Sequence, residues 1–424
     1  MQAPHSRAYA NYVLALLTAS YVVNYLDRYL LSMLAAPIQA ELAISDAQIG
    51  FLLGPAFALL YTGLGVPVAW LADRHPRREL IAIGMVLWSV CTALSGLARS
   101  HAQIALARFG VGVGQAAGAA PAHSLIADYF PPERRATALA IFQSGVPIGM
   151  MLGTLIGGVL VAPLGWRNVF IWVGLPGIAV ALLLRLTVRE PARTLQPAGA
   201  RSLGAVLREF GGGIGFLLRI PTFRAIAFGG MLAATAGTAF GFWLPTMFVR
   251  SHGMSLAEFG MTYGIVSGLA GIAGTTTAGV LADRLARVDP RWRLRVAAAS
   301  VALSIPLLVA ICSVSDPTLA IWLSIPSGIA GAGYAPVLFA IAQSLAPARL
   351  RAMCSAVLIL FITGAGMLIG PWAVGLLSDL LAPRFGDDSL RAALVALIAT
   401  MTPGVAALLY GTRTLLGDLA AATD

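Results

Sequence analysis

Twelve apolar runs, each close to the ~20 residues that cross a bilayer as a helix, partition this 424-residue chain. They fall at 11–35, 50–72, 80–99, 102–129, 136–161, 167–188, 222–248, 259–282, 295–314, 317–345, 352–380 and 390–415. A hydrocarbon core offers the backbone no water, so runs of this kind satisfy their own N–H and C=O groups as helices. The expected fold class is an all-α membrane protein of twelve transmembrane helices. Composition agrees, with 58% hydrophobic and 11% charged residues, where a soluble domain carries about 25% charged.

An even number of spans places both termini on one side. Arg99, Arg167, Arg250, Arg384 and Arg391 lie in loops on the opposite side, and Arg28 and Arg108 lie inside spans. The other 21 of the 28 arginines share a side with the N-terminus. This asymmetry predicts cytoplasmic termini, and it accounts for the net charge of +10 without a nucleic-acid partner. The longest connection, 189–221, separates an N-terminal six-helix bundle (1–188) from a C-terminal one (222–424). Within this linker, 202–219 mixes apolar residues with Arg208 and Glu209, as in a helix lying on the membrane surface, although the glycines at 211–213 weaken that pattern.

The chain contains no lysine. A Walker A loop and a retinal-type Schiff base both need one, which argues against an ATP-driven pump and a rhodopsin-like receptor. H-E-x-x-H and G-x-S-x-G are also absent, and no enzymatic activity is expected. Cys91, Cys312 and Cys354 stand in apolar segments without metal-ligand spacing, so they are expected to pack inertly, with no disulfide, metal or cofactor. The N-terminus reads as a retained first span, because no small-residue cleavage site follows its single arginine.

A short motif repeats across the two halves. Residues 71–74 read Leu-Ala-Asp-Arg, and so do residues 281–284, each at the end of an apolar run. Duplicated membrane halves are the construction of secondary transporters, which hold substrate between them. The architecture expected is therefore two pseudo-symmetric six-helix bundles. Gly145, Gly149, Gly153 and Gly157 recur every four residues in span five, and Gly110, Gly112, Gly114 and Gly118 crowd span four. Such spacing lets helix backbones approach closely; a gating role is the alternative.

Charges inside spans are costly and point to function. Asp27 is the one acid well inside a span. Ser20, Asn24 and Asp27 follow i, i+4, i+7 spacing and form a polar stripe on span one. Asp27 suits a proton carrier; a permanent structural ion pair is the alternative. Arg108, with Gly112 and Gln115 on the same face of span four, either holds Asp27 ionised or binds an anionic substrate group. Arg28 points about 100° from Asp27 on an ideal helix, need not share its role, and suits either a snorkelling or structural residue or a member of the site. His123 could titrate, or serve as a hydrogen-bonded residue beside Pro121. The aromatics Tyr21, Tyr25, Phe240, Trp243, Tyr334 and Phe361 could as a set line an apolar substrate cavity; taken singly, facing lipid or packing inside is the commoner role of each.

The chain resembles the major facilitator superfamily, and within it the Spinster-like lipid transporters. Ala69-Trp-Leu-Ala-Asp73-Arg74-His-Pro-Arg77-Arg78 is similar to the superfamily's G-x-L-A-D-R-x-G-R-R loop, and Gly279-Val-Leu-Ala-Asp283-Arg284 is its second copy. Gly149-x-x-x-Gly153-Thr-x-x-Gly157-Gly158 resembles the antiporter motif G-x-x-x-G-P-x-x-G-G. Asn24-Tyr25-Leu26-Asp27-Arg28, Arg108 with Gly112-x-Gly114-Gln115-Ala116, Asp128-Tyr-Phe-Pro-Pro-Glu-Arg134-Arg135 and Arg189-Glu-Pro191 match Spinster-like features. Where that pattern has a glutamate, this chain has Gln115, which reduces a two-carboxylate arrangement to Asp27 alone.

The resemblance implies a monomeric, proton-coupled transporter of a lipid-like anion, of lysophospholipid or sphingoid-phosphate type, in a bacterial inner membrane. Asp27, Arg108 and Gln115 would couple the proton. Ser20, Tyr21, Asn24, Tyr25, His123, Phe240, Trp243, Tyr334 and Phe361 would line the cavity. Asp73, Arg74, Arg77, Asp128, Asp283 and Arg284 would form a cytoplasmic gate. In that gate, closed in an outward-open state, Arg77 is expected to pair with Asp128, Asp73 to cap span eleven near 352–354, and Asp283 to mirror it at the start of span five; an inward-open state should break these contacts. The alternatives are a drug-type proton antiporter, a transporter of small organic anions, and a receptor or sensor on the same scaffold.

Overall fold

The structure, a computed structural model, describes residues 6–191, 202–346 and 351–421, without the side chains of Ala136, Arg351 and Ala352. The part of the expected linker at 192–201 lies outside the described residues, with Arg193 and Arg201. Among the described residues there are helices and no strands.

Span one is α1 (Arg7–Leu42). Span two is broken into α2 (Asp46–Leu53), α3 (Pro55–Gly63) and α4 (Gly65–Ala72), and span three is α5 (Arg77–Ser95). Span four comprises α6 (His101–Ala116) and α7 (Ala119–Tyr129). Next come α8 (Pro132–Gln143) and α9 (Gly145–Thr187). α9 is two helices folded at Gly165, where φ of 73° departs from the helix, so α8 and α9 supply spans five and six. α10 (Leu203–Leu217) is the helix anticipated in the linker, and it forms across its glycines.

Spans seven, eight and nine are α11 (Pro221–His252), α12 (Leu256–Ala286) and α13 (Trp292–Ser313). Span ten is α14 (Pro317–Ala332) with α15 (Tyr334–Ser344). Span eleven joins α16 (Arg351–Ile359) to α17 (Ala365–Phe385) through a π-helical turn at Leu360–Gly364, and span twelve is α18 (Ser389–Ala399) with α19 (Met401–Ala421).

By length and hydropathy alone, eight continuous helical runs among the described residues can cross a membrane. Two of these, Pro132–Thr187 and Met353–Ala421, each contain two of the spans above. The runs outside that set are α1 and α6–α7. These two carry Asp27, Arg28, Arg108 and Gln115, so the lower hydropathy marks where polar groups are buried.

The chain resolves into two compact units. One comprises the chain up to Ile44 with Ala56–Leu207, and the other Ser45–Pro55 with Arg208 onward. The expected boundary near the linker is thus joined by a second feature: α2 groups with the second unit, while α3 and α4 group with the first. In the first unit, Leu14 and Leu17 of α1, Ile81 of α5, Leu125 of α7, Phe142 of α8 and Leu184 of α9 share one apolar core. In the second, Trp243 of α11 is fully buried and donates from Nε1 to the Pro371 carbonyl of α17 at 2.8 Å.

The four-residue glycine series of span five faces α1. A Cβ built on Gly149 would stand 2.5 Å from the Val22 carbonyl oxygen, and one on Gly153 would stand 2.6 Å from that of Leu26. Backbone cannot yield as a side-chain tip can, so small residues are required there. This contact sets the height and rotation of α1, and hence the placement of Asp27.

Gly149→Ala is expected to destabilise the protein by about 1–3 kcal/mol, the usual cost of overpacking, measured as a lowered melting temperature in detergent. Gly237→Ala, where nothing lies within 4 Å of the added methyl, should leave the melting temperature unchanged or raise it slightly.

Candidate functional site: a buried ion cluster in the first unit

Asp27 sits midway along α1 and is 2% exposed. The Thr92 hydroxyl of α5 donates to one oxygen at 2.6 Å. Arg108 Nη1 and Gln115 Nε2 of α6 donate to the other, both at 3.2 Å. Three helices therefore converge on one acid. Gln115 Nε2 also lies 3.3 Å from the Asn24 carbonyl, and its Oε1 accepts from Arg28 Nε at 2.8 Å. Both ends of the amide are occupied, which fixes its orientation between an anion and a cation.

Arg28, whose role the sequence leaves open, is placed in this cluster. It is only 3% exposed, so it does not snorkel to the surface. Its guanidinium stacks on Tyr25, Phe57 and Tyr61 with centroid distances of 4.7, 4.8 and 4.4 Å. Arg108 also lies over Phe57, at 5.2 Å. The 100° offset from Asp27 does not separate the roles, because Gln115 reaches both residues. Aromatic faces offer a guanidinium electrostatic stabilisation without the opposing charge of a carboxylate.

The cluster holds two guanidiniums and one carboxylate. With Asp27 ionised it carries net charge +1, and with Asp27 protonated +2. Arg108 Nε and Asn24 Oδ1 are buried polar atoms that meet no hydrogen-bond partner among the described residues. A buried site with surplus positive charge and an unfilled guanidinium donor on Arg108 suits an anionic group, whereas the Asn24 oxygen can only accept from a donor.

The remaining expected residues divide. Tyr21 is partly exposed and stacks on Phe142 at 4.3 Å, with Tyr25 edge-on at 5.1 Å, so these two are placed beside the cluster. His123 is half-buried with its ring edge-on to Phe142 at 5.2 Å. Ser20 donates to its own helix, at the Leu17 carbonyl, 2.7 Å away. Trp243 is enclosed by packing and Phe240 is buried, so neither offers the exposed face expected of a cavity wall. Tyr334 and Phe361 are half-buried at helix breaks, the first after Gly333 and the second in the π-helical turn. Cys91, Cys312 and Cys354 are free thiols.

The two Leu-Ala-Asp-Arg copies differ in their surroundings. After the first, Arg77 is 1% exposed and lies 2.6 Å from Asp128, the expected pair. It also donates to Glu190 at 2.9 Å and to Ser124 at 2.7 Å. Arg78 donates to Glu190 and to the Val188 carbonyl, and Tyr129 to the Arg189 carbonyl. Arg74 folds back over Trp70 at 4.2 Å, and Asp73 is exposed. In the second copy, Asp283 is exposed and 3.5 Å from Arg293, and Arg284 is exposed.

Sequence reasoning missed Thr92, Phe57 and Tyr61. A lone threonine or aromatic in an apolar span carries no periodic signal, and only the packing of α3 and α5 on α1 and α6 shows its role. Asp46 and Arg250, a bidentate ion pair of the second unit, were also overlooked, having been assigned to loops.

Twelve spans in two units, with a charged cluster enclosed in one of them, define a membrane transporter. The chain belongs to the Major Facilitator Superfamily, whose family model matches residues 17–371, and to its Spinster-like members. It is similar to an MFS-type efflux pump of Mycolicibacterium smegmatis, with 36% identity over 380 residues covering 89% of this chain and 87% of that protein. It is also similar to a probable L-galactonate transporter of Escherichia coli, 34% identical over 167 residues, which cover 39% of this chain and only 37% of that protein. Among solved structures, a bacterial homolog of the human lysosomal transporter Spinster, in an inward-facing and unoccupied conformation, superposes with a TM-score of 0.86. It is 29% identical, over 97% of this chain and 99% of that one.

Arg77→Ala should strand Asp128 and Glu190 and lower stability by about 2 kcal/mol. This is below the 3–5 of a fully buried pair because Asp128 is 40% exposed. Arg74→Ala, a more exposed position, should change stability by less than about 0.5 kcal/mol. Melting temperatures of the two purified variants check the contrast.

Proposed function

We propose that the protein is a secondary transporter that binds a proton at Asp27 and an organic or lipid-like anion at the Arg28–Arg108 pair. The observation that carries this reading is the shared carboxylate: Asp27 holds Arg108 directly and Arg28 through Gln115. Protonating Asp27 removes the negative charge facing Arg108 and frees that guanidinium for a substrate carboxylate or phosphate. Each event then favours the other, because the anion is drawn to the higher positive charge and the protonated acid tolerates the anion. Proton and anion bind together in this account, which suits cotransport. Galactonate, the substrate in the Escherichia coli relative's name, is an organic anion of this kind. The rings of Tyr21 and Tyr25 would favour substrates with an apolar portion.

Export of cationic compounds is the rival reading, and the name of the Mycolicibacterium relative invites it. A cation placed against Asp27 would meet Arg28 and Arg108 at close range, and like charges in a buried site repel strongly. The charge balance therefore favours anions. We further assign both termini to the cytoplasm on the arginine distribution. Asp73, Arg74, Arg77 and Asp128 of the first unit, and Asp283 and Arg284 of the second, would then each face the cytoplasm and serve its gate.

Uptake into proteoliposomes tests the reading, with a lysophospholipid, galactonate and a cationic dye each assayed with and without an imposed pH gradient. Asp27→Asn keeps the size and hydrogen bonding of the acid; it should lose gradient-driven anion uptake but retain counterflow exchange. Gln115→Glu should pair with Arg28, neutralise the surplus charge and weaken apparent anion affinity by about tenfold, equivalent to about 1.4 kcal/mol. Full gradient-driven uptake by Asp27→Asn would make that residue structural, and transport of the dye alone would favour the cationic reading.

A further inference from the structure

The turn that follows the second Leu-Ala-Asp-Arg has no part in the transport reading so far. α12 and α13 pack against each other, and residues 287–291 join them. From Asp283 to Arg295 the chain carries five arginines, at 284, 287, 291, 293 and 295, against two aspartates, a net charge of +3. The turn is held by its own hydrogen bonds. The Val288 N–H donates to the Leu285 carbonyl and the Trp292 N–H to the Asp289 carbonyl, both at 3.0 Å. The arginines are therefore presented together on a hydrogen-bonded scaffold.

They lack the partners found after the first copy, where Arg77 pairs with Asp128 and Glu190, and Arg78 with Glu79. In the second turn, Asp289 Oδ1 accepts from the Arg291 backbone N–H at 2.9 Å, and Oδ2 lies 3.7 Å from Arg295. Asp283 is exposed and 3.5 Å from Arg293, a contact that contributes little. Among the described residues Arg284, Arg287 and Arg291 form no ion pair. The Nε atoms of Arg291 and Arg293 are buried donors that meet no acceptor among those residues. Crowded guanidiniums repel one another, and an anion from outside the chain relieves that repulsion.

Two apolar side chains share the turn. Val288 is 83% exposed, Trp292 is also exposed, and Arg295 lies over the Trp292 ring at 5.0 Å. Tryptophan and arginine together at the end of a span suit the membrane–water interface. Clusters of about four to eight basic residues beside a span attract anionic lipid, and the guanidinium fork matches phosphate oxygens. A lipid surface meets the cationic and the apolar side chains at once, and it lies within reach of a turn that joins two spans. We propose that the α12–α13 turn is a docking surface for anionic phospholipid headgroups, with Arg287 and Arg291 on the phosphates and Val288 and Trp292 in the interfacial layer. This surface acts whatever the substrate is and does not depend on proton coupling at Asp27.

A spin label in lipid nanodiscs tests the surface. Val288→Cys carries the label, with the three native cysteines replaced by serine, and a neutral nickel chelate in the water reports its exposure. In phosphatidylglycerol the chelate should reach the label at least about threefold less often than in phosphatidylcholine. Arg287→Gln with Arg291→Gln should abolish the difference. A label at His75→Cys, in the turn after the first copy, should show no such difference, because Arg77 and Arg78 there are paired. Equal access in the two lipids at Val288→Cys, a fall that survives the double substitution, or an equal fall at His75→Cys overturns the proposal. Both leaflets carry the lipid, so the outcome does not depend on which side the turn faces. A second measurement needs no label. Added phosphatidylglycerol should raise the melting temperature of the wild-type protein in detergent more than that of the double variant, and an equal rise contradicts the surface.

Discussion

The charge cluster around Asp27 is the constraint on which the first unit depends. An ionised group in a membrane span is costly, and this protein encloses three within a few ångströms. The cost is offset by mutual neutralisation, by the hydroxyl of Thr92, by the amide of Gln115 and by three aromatic faces. These groups arrive from four helices, α1, α3, α5 and α6. The glycine contact between α9 and α1 sets one of those positions, and the close approach of Gly112 to the Phe57 carbonyl, 2.5 Å from a built Cβ, sets another. Close helix packing therefore keeps the charges paired, and the charges explain why the packing must be this tight.

The same reasoning separates the two copies of the Leu-Ala-Asp-Arg motif. Duplication supplies the same residues twice, but the chemistry around them differs. After the first copy, Arg77 is buried and tied to Asp128 and Glu190, so it fastens α5 to the end of span four and to the chain beyond span six. After the second copy, Asp283 and Arg293 form a long, exposed contact of the kind that contributes little. A repeated motif thus predicts a repeated location more safely than a repeated energetic role.

Much of the fold was legible in the sequence because lipid enforces a simple rule: apolar runs of span length become helices. The twelve spans and the linker helix could be anticipated from spacing and composition, and the Arg77–Asp128 pair from the family resemblance. Asp27 and Arg108 were legible because a charge in an apolar run stands out. Arg28 was placed ambiguously, since helical spacing shows which way a side chain leaves its own helix and not what a neighbouring glutamine can reach. Phe57, Tyr61 and Thr92 were invisible because apolar and small polar residues are ordinary in membrane helices. The packed role of Trp243, whose N–H ties α11 to the Pro371 carbonyl, could not be told from a cavity-lining one by sequence alone. The pairing of Asp46 with Arg250 was hidden too, since the two are 204 positions apart and each resembles a loop residue.

The central claim is that proton and anion bind to one cluster and favour each other. It is tested most directly by following the pH of a weakly buffered solution of purified protein as a carried anion is added. The account predicts that binding takes up a proton, that uptake saturates with the anion, and that Asp27→Asn abolishes the signal while still binding. Binding with no proton uptake, or with proton release, would contradict it.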